Sequence, residues 1–528
     1  MSWAIVAPTS ILASRSGECI IKRMITIRLL ATIISLVFLL ISGCSLEQVE
    51  ATSTQLATTA FDAQAPTVER DFQIVNNPTD APSATTETCD PNSDALDRHI
   101  VVADVDYAMH TANVRQQIHI TNKSENQLEQ IVLNVEPNYY GIFTLEQITV
   151  DQVGPDYTLD GKQLTIDLSD AILPGCEAVI ALDFGLRIPV VDDEGQGFLG
   201  YTRRQLNLGQ WLATVAVMQD DEWLSHEVSN VGEHDILNQA DWDVTVNLIT
   251  PPDGLSIAAP GIITNISDGV WRFEHNASRD FTMSLSDKFN ISTSMTSSGV
   301  MVEVYSFNNA KNNGAAAQAL NVATCSMEMY SDLFGAYPYS RVIVIQGDFP
   351  DGMEFSGLVF VGNSWFNKYK NDPASYLTLI TVHEISHQWW YAQVGNDSAY
   401  SPWLDESLAT YSEFIFLEEY YPDLRDWWWE FRVLTYSPQG FVDGTIYEFN
   451  STRAYINAVY LRGAQMLHDL RGDMGTEAFF QFLTAYAQAG TGQIATPELF
   501  WSLLTTEQLE ATQETRNLYL GDPLPGDE

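Results

Sequence analysis

The chain is poor in positive charge: 25 Lys and Arg stand against 69 Asp and Glu, a formal net charge of −44 over 528 residues. Nucleic-acid partners need clustered Lys and Arg to replace counterions along the phosphates, so this balance excludes that class. Acidity on this scale suits a soluble body in an outside or salty medium and says little about fold. Cysteine is scarce as well. Of the five, Cys89, Cys176 and Cys325 are too scattered in sequence for a metal cluster. In an oxidising compartment Cys89 and Cys176 could pair, or the set could stay as thiols; spacing leaves both open. Histidine is rarer than chance use would make it, at nine residues, and no internal repeat is present.

What is there begins at the N-terminus. Lys22, Arg23 and Arg28 precede an apolar run, LLATIISLVFLLI (29–41), which is followed by Ser42-Gly43-Cys44. A basic segment, a short apolar core and small residues before a cut site form an export signal. ISGC resembles a bacterial lipobox, which would make Cys44 the lipidated first residue of a protein exported and anchored to the outer face of a bacterial membrane. An uncleaved signal-anchor helix is the alternative, and either Met1 or Met24 could be the start.

Composition and period then divide the chain. The signal occupies 1–43, and 44–96 is a flexible stalk rich in Thr, Ser, Ala and Gln. Residues 97–290 show short alternating apolar runs such as VRQQIHITN and WDVTVNLIT between turn signals, which predicts an antiparallel, β-sandwich-like domain. From 291 to 510 helical periods dominate, with strands expected at 341–346 and 357–362. Helices are expected at 373–394, 403–420, 454–472, 475–488 and 497–507, the last capped by Thr496. Residues 511–528 read as a polar tail.

Two of the scarce histidines stand four residues apart in TVHEISHQWWY (381–391). On a helix, positions i and i+4 share a face, so His383 and His387 could hold one Zn²⁺ through two imidazoles. Glu384 beside them could take a proton from water at the metal. The bland reading is two buried histidines with ordinary hydrogen bonds. A catalytic zinc wants a third ligand and an open fourth position. Glu406, in WLDESLATY, follows His387 after eighteen residues, with Asp405 as a competitor. His110, His119, His226 and His234 lack ligand spacing. Trp389, Trp390 and Trp427-Trp428-Trp429 are read as helix packing rather than a substrate platform.

HEISHQWW followed by WLDESLATY resembles the gluzincin metallopeptidases, in particular the membrane alanyl aminopeptidase family, which includes a leukotriene-processing hydrolase. DGMEFSG (351–357) resembles the family's glycine-x-Met-Glu exopeptidase motif. VYLRGAQML (459–467) resembles its Tyr-x-Lys-Gly-Ala segment, and MYSDLFGAYPYSRVIVI (329–345) its lead-in to the catalytic domain.

The resemblance implies a thermolysin-like, mainly helical catalytic domain with a small sheet, and one zinc on His383, His387 and Glu406. It implies Glu384 as general base and Tyr460 as donor to the developing oxyanion. The motif at Gly352, Met353 and Glu354 would bind substrate, with Glu354 on the free α-ammonium of a peptide.

Departures are Asp351 at the motif's first glycine, Phe355 after Met-Glu, and Arg462 in place of Lys. No second partner for the ammonium is identifiable. The family's long C-terminal helical domain is missing from this sequence, which implies a more open cleft. The leading expectation is a zinc aminopeptidase acting on peptides outside the cytoplasm. The alternatives are a thermolysin-like endopeptidase, which needs no ammonium anchor, and a catalytically silent peptide-binding surface lipoprotein, which has no need of Glu384 or Tyr460. Neither side-chain preference nor oligomeric state can be read from these patterns.

Overall fold

Alternation organises the first half of the protein. The strand Thr111–Thr121 buries every second residue (Ala112, Val114, Gln116, Ile118, Ile120), as a sheet with one covered face requires. The computed structural model describes residues 89–90, 95–191, 197–219 and 221–522. The export signal, Cys44 and the stalk up to residue 88 lie outside the described residues.

Seven strands form one sheet in the order Ile262–Ser267, Val270–Ser278, Ala240–Leu248, Asp97–Asp106, Thr111–Thr121, Glu177–Arg187, Phe143–Val150. A four-stranded sheet, Thr214–Val215, Leu128–Asn134, Gln163–Ile172 and Asp156–Asp160, shares its core: Val101, Ile118 and Leu182 from the first meet Ile131, Leu133 and Leu164 from the second. The expected all-antiparallel pairing needs correction. Asp97–Asp106 runs parallel to Ala240–Leu248, so the large sheet is mixed. These two strands are far apart in sequence and joined by a long crossover, the connection parallel neighbours require. Cys89 and Cys176 form a disulfide that fastens the start of this domain to the turn before Glu177–Arg187.

Strand Asn290–Met295 opens a five-stranded sheet in the order Asn290–Met295, Met301–Ser306, Arg341–Gly347, Leu358–Gly362, Gly352–Phe355. Its central strand Arg341–Gly347 is buried throughout and parallel to both neighbours, which explains why RVIVIQ reads as a continuous rather than alternating apolar run. Gly352–Phe355 is the edge strand, and its free side faces the cleft described below. The helix Ala315–Phe334 packs on the sheet and ends at Gly335, whose φ of 121° suits glycine. Further helices follow at Tyr376–Ser386, Trp403–Tyr420, Gly463–Met474 and Thr476–Gly490.

The expected polar tail is also corrected. Gln513–Tyr519 is a helix. Thr515 donates to Asp473 and the Tyr519 hydroxyl to Asp469, docking the segment on Gly463–Met474. Thr515, Arg516 and Tyr519 form its buried face, while Gln513, Glu514 and Asn517 remain exposed.

Candidate active site

The helix Tyr376–Ser386 has no proline or glycine to interrupt it and is buried on all sides from Thr381 onward. It was expected to run to 394 and instead ends at Ser386, with His387 as its cap. The carbonyls beyond that point are taken elsewhere. Trp390 O accepts from His387 Nδ1 at 2.8 Å, and Arg279, from the first domain, donates to Tyr391 O, Gln393 O, Leu237 O and Gln493 O. A buried guanidinium needs such acceptors, and supplying them unwinds the helix. Burial lowers the Arg279 pKa to about 10.

The turn that results orients the imidazoles. His387 Nδ1 is held by Trp390 O, and His383 Nδ1 lies 3.1 Å from Glu413 Oε1, so both Nε2 atoms turn to the same side. The next helix, Trp403–Tyr420, brings Glu406 Oε2 to 3.1 Å from His383 Nε2 and 3.6 Å from His387 Nε2. Three ligands at about 2.0 Å from a tetrahedral centre lie about 3.3 Å from one another, and these separations match that spacing. The three side chains form a buried set able to hold a metal ion, and the donor set is one that suits zinc. Asp405 belongs to a different environment: it receives Ser398 Oγ and the Glu406 amide.

Glu413 was not singled out in the sequence. It lies seven residues after Glu406, two turns along the same helix face, and receives Arg432 and Trp428 Nε1 as well as His383. That buried arginine pair holds its carboxyl below the usual range despite burial. A carboxylate behind a ligating imidazole fixes its tautomer and raises its basicity.

Tyr460 sits on a π-helical stretch, Ile456–Arg462, inside the segment expected as one helix over 454–472. Gly463 follows it and lies flush against Ser407, where any Cβ would overlap the serine side chain; Ser407 Oγ in turn donates to Val459 O at 2.7 Å. This close approach carries Tyr460 to the metal set. Its hydroxyl donates to Glu406 Oε1, and its ring is parallel to His383 with centroids 5.8 Å apart.

On the edge strand Gly352–Phe355, side chains alternate. Glu354 turns to the site, with Oε1 3.7 Å from His387 Nδ1, while Met353 and Phe355 enter a core with Ile343 and Phe360. Met353 both packs into that core and lines the cleft beside Glu354. The same alternation accounts for Phe355, which meets Phe198 and Phe360 edge-on. Gly352 has no room for a side chain because the Glu384 carboxylate occupies the place. Asp351 adopts φ 59°, the left-handed region that a glycine would favour. Arg462 donates to Leu518 O at 2.8 Å and covers the Tyr519 ring, holding the C-terminal helix.

Glu233 also lines the cleft and was missed. It comes from a loop of the first domain whose sequence, NVGEHDI, carries no recognisable signal. Gly232 packs against Tyr455 and Ile446, and the neighbouring His234 and Asp235 are tied to Glu136 and Lys162. Glu136, His234 and Asp235 could themselves gather around a cation, but the Lys162 ammonium, 3.0 Å from Glu136, already fills that role.

The site is therefore crowded with carboxylates. Burial pushes Glu233 well above its ordinary pKa, and Glu354, Glu406 and Asp405 add to the effect. Glu354 is raised by burial, opposed by His387. Glu384 is pushed up to about 8, chiefly by burial. Two acceptors, Glu354 Oε1 and Glu384 Oε2, have no hydrogen-bond partner. Such a pocket, about 690 Å³ in volume, is built to receive cations.

Comparisons with known proteins agree with this geometry. Residues 318–518 match the peptidase family M1 domain. The chain is similar to human endoplasmic reticulum aminopeptidase 2, 26% identical over 260 residues that cover 44% of this chain and 26% of that protein. It is similar to mouse endoplasmic reticulum aminopeptidase 1, 33% identical over 144 residues covering 26% and 15% of the two chains. It thus spans about a quarter or less of the length of these curated relatives. In fold it resembles the M1 zinc metallopeptidase from Deinococcus radiodurans, with a TM-score of 0.57 and 20% identity, covering 82% of this chain and 95% of that one. A variant of that enzyme has been solved with a Tyr-Ser-Ala substrate, at TM-score 0.56 and 19% identity, with the same coverage. Residues 318–518 thus match the peptidase family M1 domain, and the chain shares the fold of an M1 zinc metallopeptidase, with a donor set that suits zinc.

Proposed function

We propose that the protein is a zinc aminopeptidase that removes N-terminal residues from peptides outside the cytoplasm, with zinc on His383, His387 and Glu406. The observation that carries this reading is the buried Glu354 carboxylate, whose Oε1 has no hydrogen-bond partner and lies 3.7 Å from His387, with Glu233 facing the same space. After a dication has offset part of the negative charge, further anions remain, and the free α-ammonium of a peptide is the cation a peptide substrate can bring. Glu233 is the second partner that the sequence did not reveal.

Zinc, when bound, supplies Lewis acidity that polarises a peptide carbonyl and acidifies water. Glu384 then accepts the water proton, its unpartnered Oε2 being the free acceptor, and returns it to the leaving amine. The Tyr460 hydroxyl, whose single proton goes to Glu406 in the free site, turns it to the oxygen on which negative charge develops. The free edge of Gly352–Phe355 aligns an extended peptide backbone, and Glu354 and Glu233 set where it begins.

Export to the outer face of a membrane, through a lipid on Cys44, is supported by the N-terminal residue pattern and by the Cys89–Cys176 disulfide, since such bonds persist in oxidising compartments. The experiment that tests the function compares Leu-Ala-Ala with its N-acetyl form, with and without a chelator. Cleavage of the free peptide alone, abolished by chelator and restored by zinc, is expected. Equal cleavage of the acetylated peptide would instead assign an endopeptidase.

A further inference from the structure

The two ends of the cleft are opposite in hydrogen-bond character. At the His387 end stand unpartnered acceptors, Glu354 and Glu384. At the other end stand unpartnered donors. Tyr376, Ile380, His383, Glu384 and His387 share one face of their helix and all line the cleft, so the wall runs from His387 past His383 to Tyr376. Beside Tyr376, the Trp365 indole Nε1 has no acceptor, and its ring meets that of Tyr376 at a tilt, with centroids 4.7 Å apart. The Tyr436 hydroxyl lies 3.2 Å from that of Tyr376, and the Arg453 guanidinium lies over the Tyr436 ring at 4.7 Å. Arg453 is exposed, lines the cleft and has no ion pair among the described residues. The cleft's other arginine, Arg432, is neutralised by Glu413.

Tyr376 precedes His383 by seven residues, about 10 Å along a helix at 1.5 Å per residue. An extended peptide advances about 3.4 Å per residue, so the group at that end belongs to the second or third residue beyond the cut. We propose that Arg453, steadied on Tyr436, binds the C-terminal carboxylate of tri- and tetrapeptides, so that the cleft recognises both ends of a short peptide. This rests on the aminopeptidase reading for the direction in which the peptide lies. A planar guanidinium on an aromatic face keeps its fork free for a carboxylate, which a lysine there would not match. An acidic side chain near the end of a longer peptide offers the same group, and the test separates the two.

The test is calorimetric binding to a zinc-loaded Glu384→Gln variant, which needs no turnover. Leu-Ala-Ala as free acid is expected to bind on the order of 10-fold tighter than its amide. Arg453→Ala should erase that ratio, and Arg453→Lys should keep part of it. The ratio is read rather than either affinity, so a general loss of binding does not imitate the result. Equal affinities for acid and amide, or a ratio that survives Arg453→Ala, would overturn the proposal. So would a gain on Leu-Ala-Asp-amide with none on the free terminus, which would make the side chain the ligand. If N-acetyl-Leu-Ala-Ala binds as well as the free peptide and keeps the acid-to-amide ratio, the ammonium reading fails while the Arg453 subsite stands.

Discussion

At the scale of single residues, charge decides the chemistry. Glu384 is the one carboxylate of the histidine turn that holds no ligand position, and its Oε2 is unpartnered. Glu384→Gln keeps the shape and removes the base, so kcat should fall about 10²–10⁴-fold while zinc content stays at one per chain. Retained activity in that variant would exclude the role. Glu354→Ala should lower kcat/KM for free peptides by about 10²-fold, the cost of losing one partner of a buried charge pair. Glu233→Ala should act in the same direction, and in both variants selectivity against N-acetyl peptides should shrink. Selectivity that survives both would remove the ammonium anchor.

His383, His387 and Glu384 were legible because their spacing on one helix is itself the signal, whereas Glu406, on the next helix, was chosen over Asp405 through the resemblance of WLDESLATY. Glu413 was legible in principle, two turns beyond Glu406, but a glutamate at that spacing is commonplace on helices. Glu233 and Arg279 were not, since the loops that bring them in belong to the other domain.

At the scale of elements, the positions of His387 and Tyr460 depend on backbone that departs from a regular helix. The sequence pattern extended the first helix to 394 and read 454–472 as one helix. The first ended early where carbonyls found side-chain partners, at Trp390 and Tyr391; the second is helical throughout but widens to a π stretch at Ile456–Arg462, where Ser407 donates to Val459 O. Local period cannot anticipate a competitor from elsewhere in the chain. Gly463 shows the consequence. Gly463→Ala forces a methyl into Ser407 and should cost about 1–3 kcal/mol as overpacking, with a fall in kcat as Tyr460 shifts. Ser407→Gly in the same chain should restore much of the lost stability, as read from urea unfolding. An unaltered midpoint in Gly463→Ala would contradict the close packing.

At the scale of the whole molecule, the first domain is part of the enzyme rather than a handle. It supplies Glu233, and its Arg279 fastens the turn after His387. Arg279→Met should leave several buried carbonyls without a donor, lowering stability by several kcal/mol and zinc affinity with it. A variant that melts and binds zinc like the wild type would show the fastening to be dispensable. The same domain carries the Cys89–Cys176 bond, which closes a loop with a sequence separation of 87. Chain entropy puts its worth at up to about 4.6 kcal/mol, so reductant should lower the melting temperature by several degrees. The two-domain order was legible from the change of period near residue 290. The parallel pairing of Asp97–Asp106 with Ala240–Leu248 was not, because alternation identifies strands without saying which lie side by side.

The most direct test is the zinc anomalous signal in crystals of the zinc-loaded protein. A single peak is expected between His383 Nε2, His387 Nε2 and Glu406 Oε2, about 2.0 Å from each. A map with no peak there, or with its peak at Glu136, His234 and Asp235, would contradict the account.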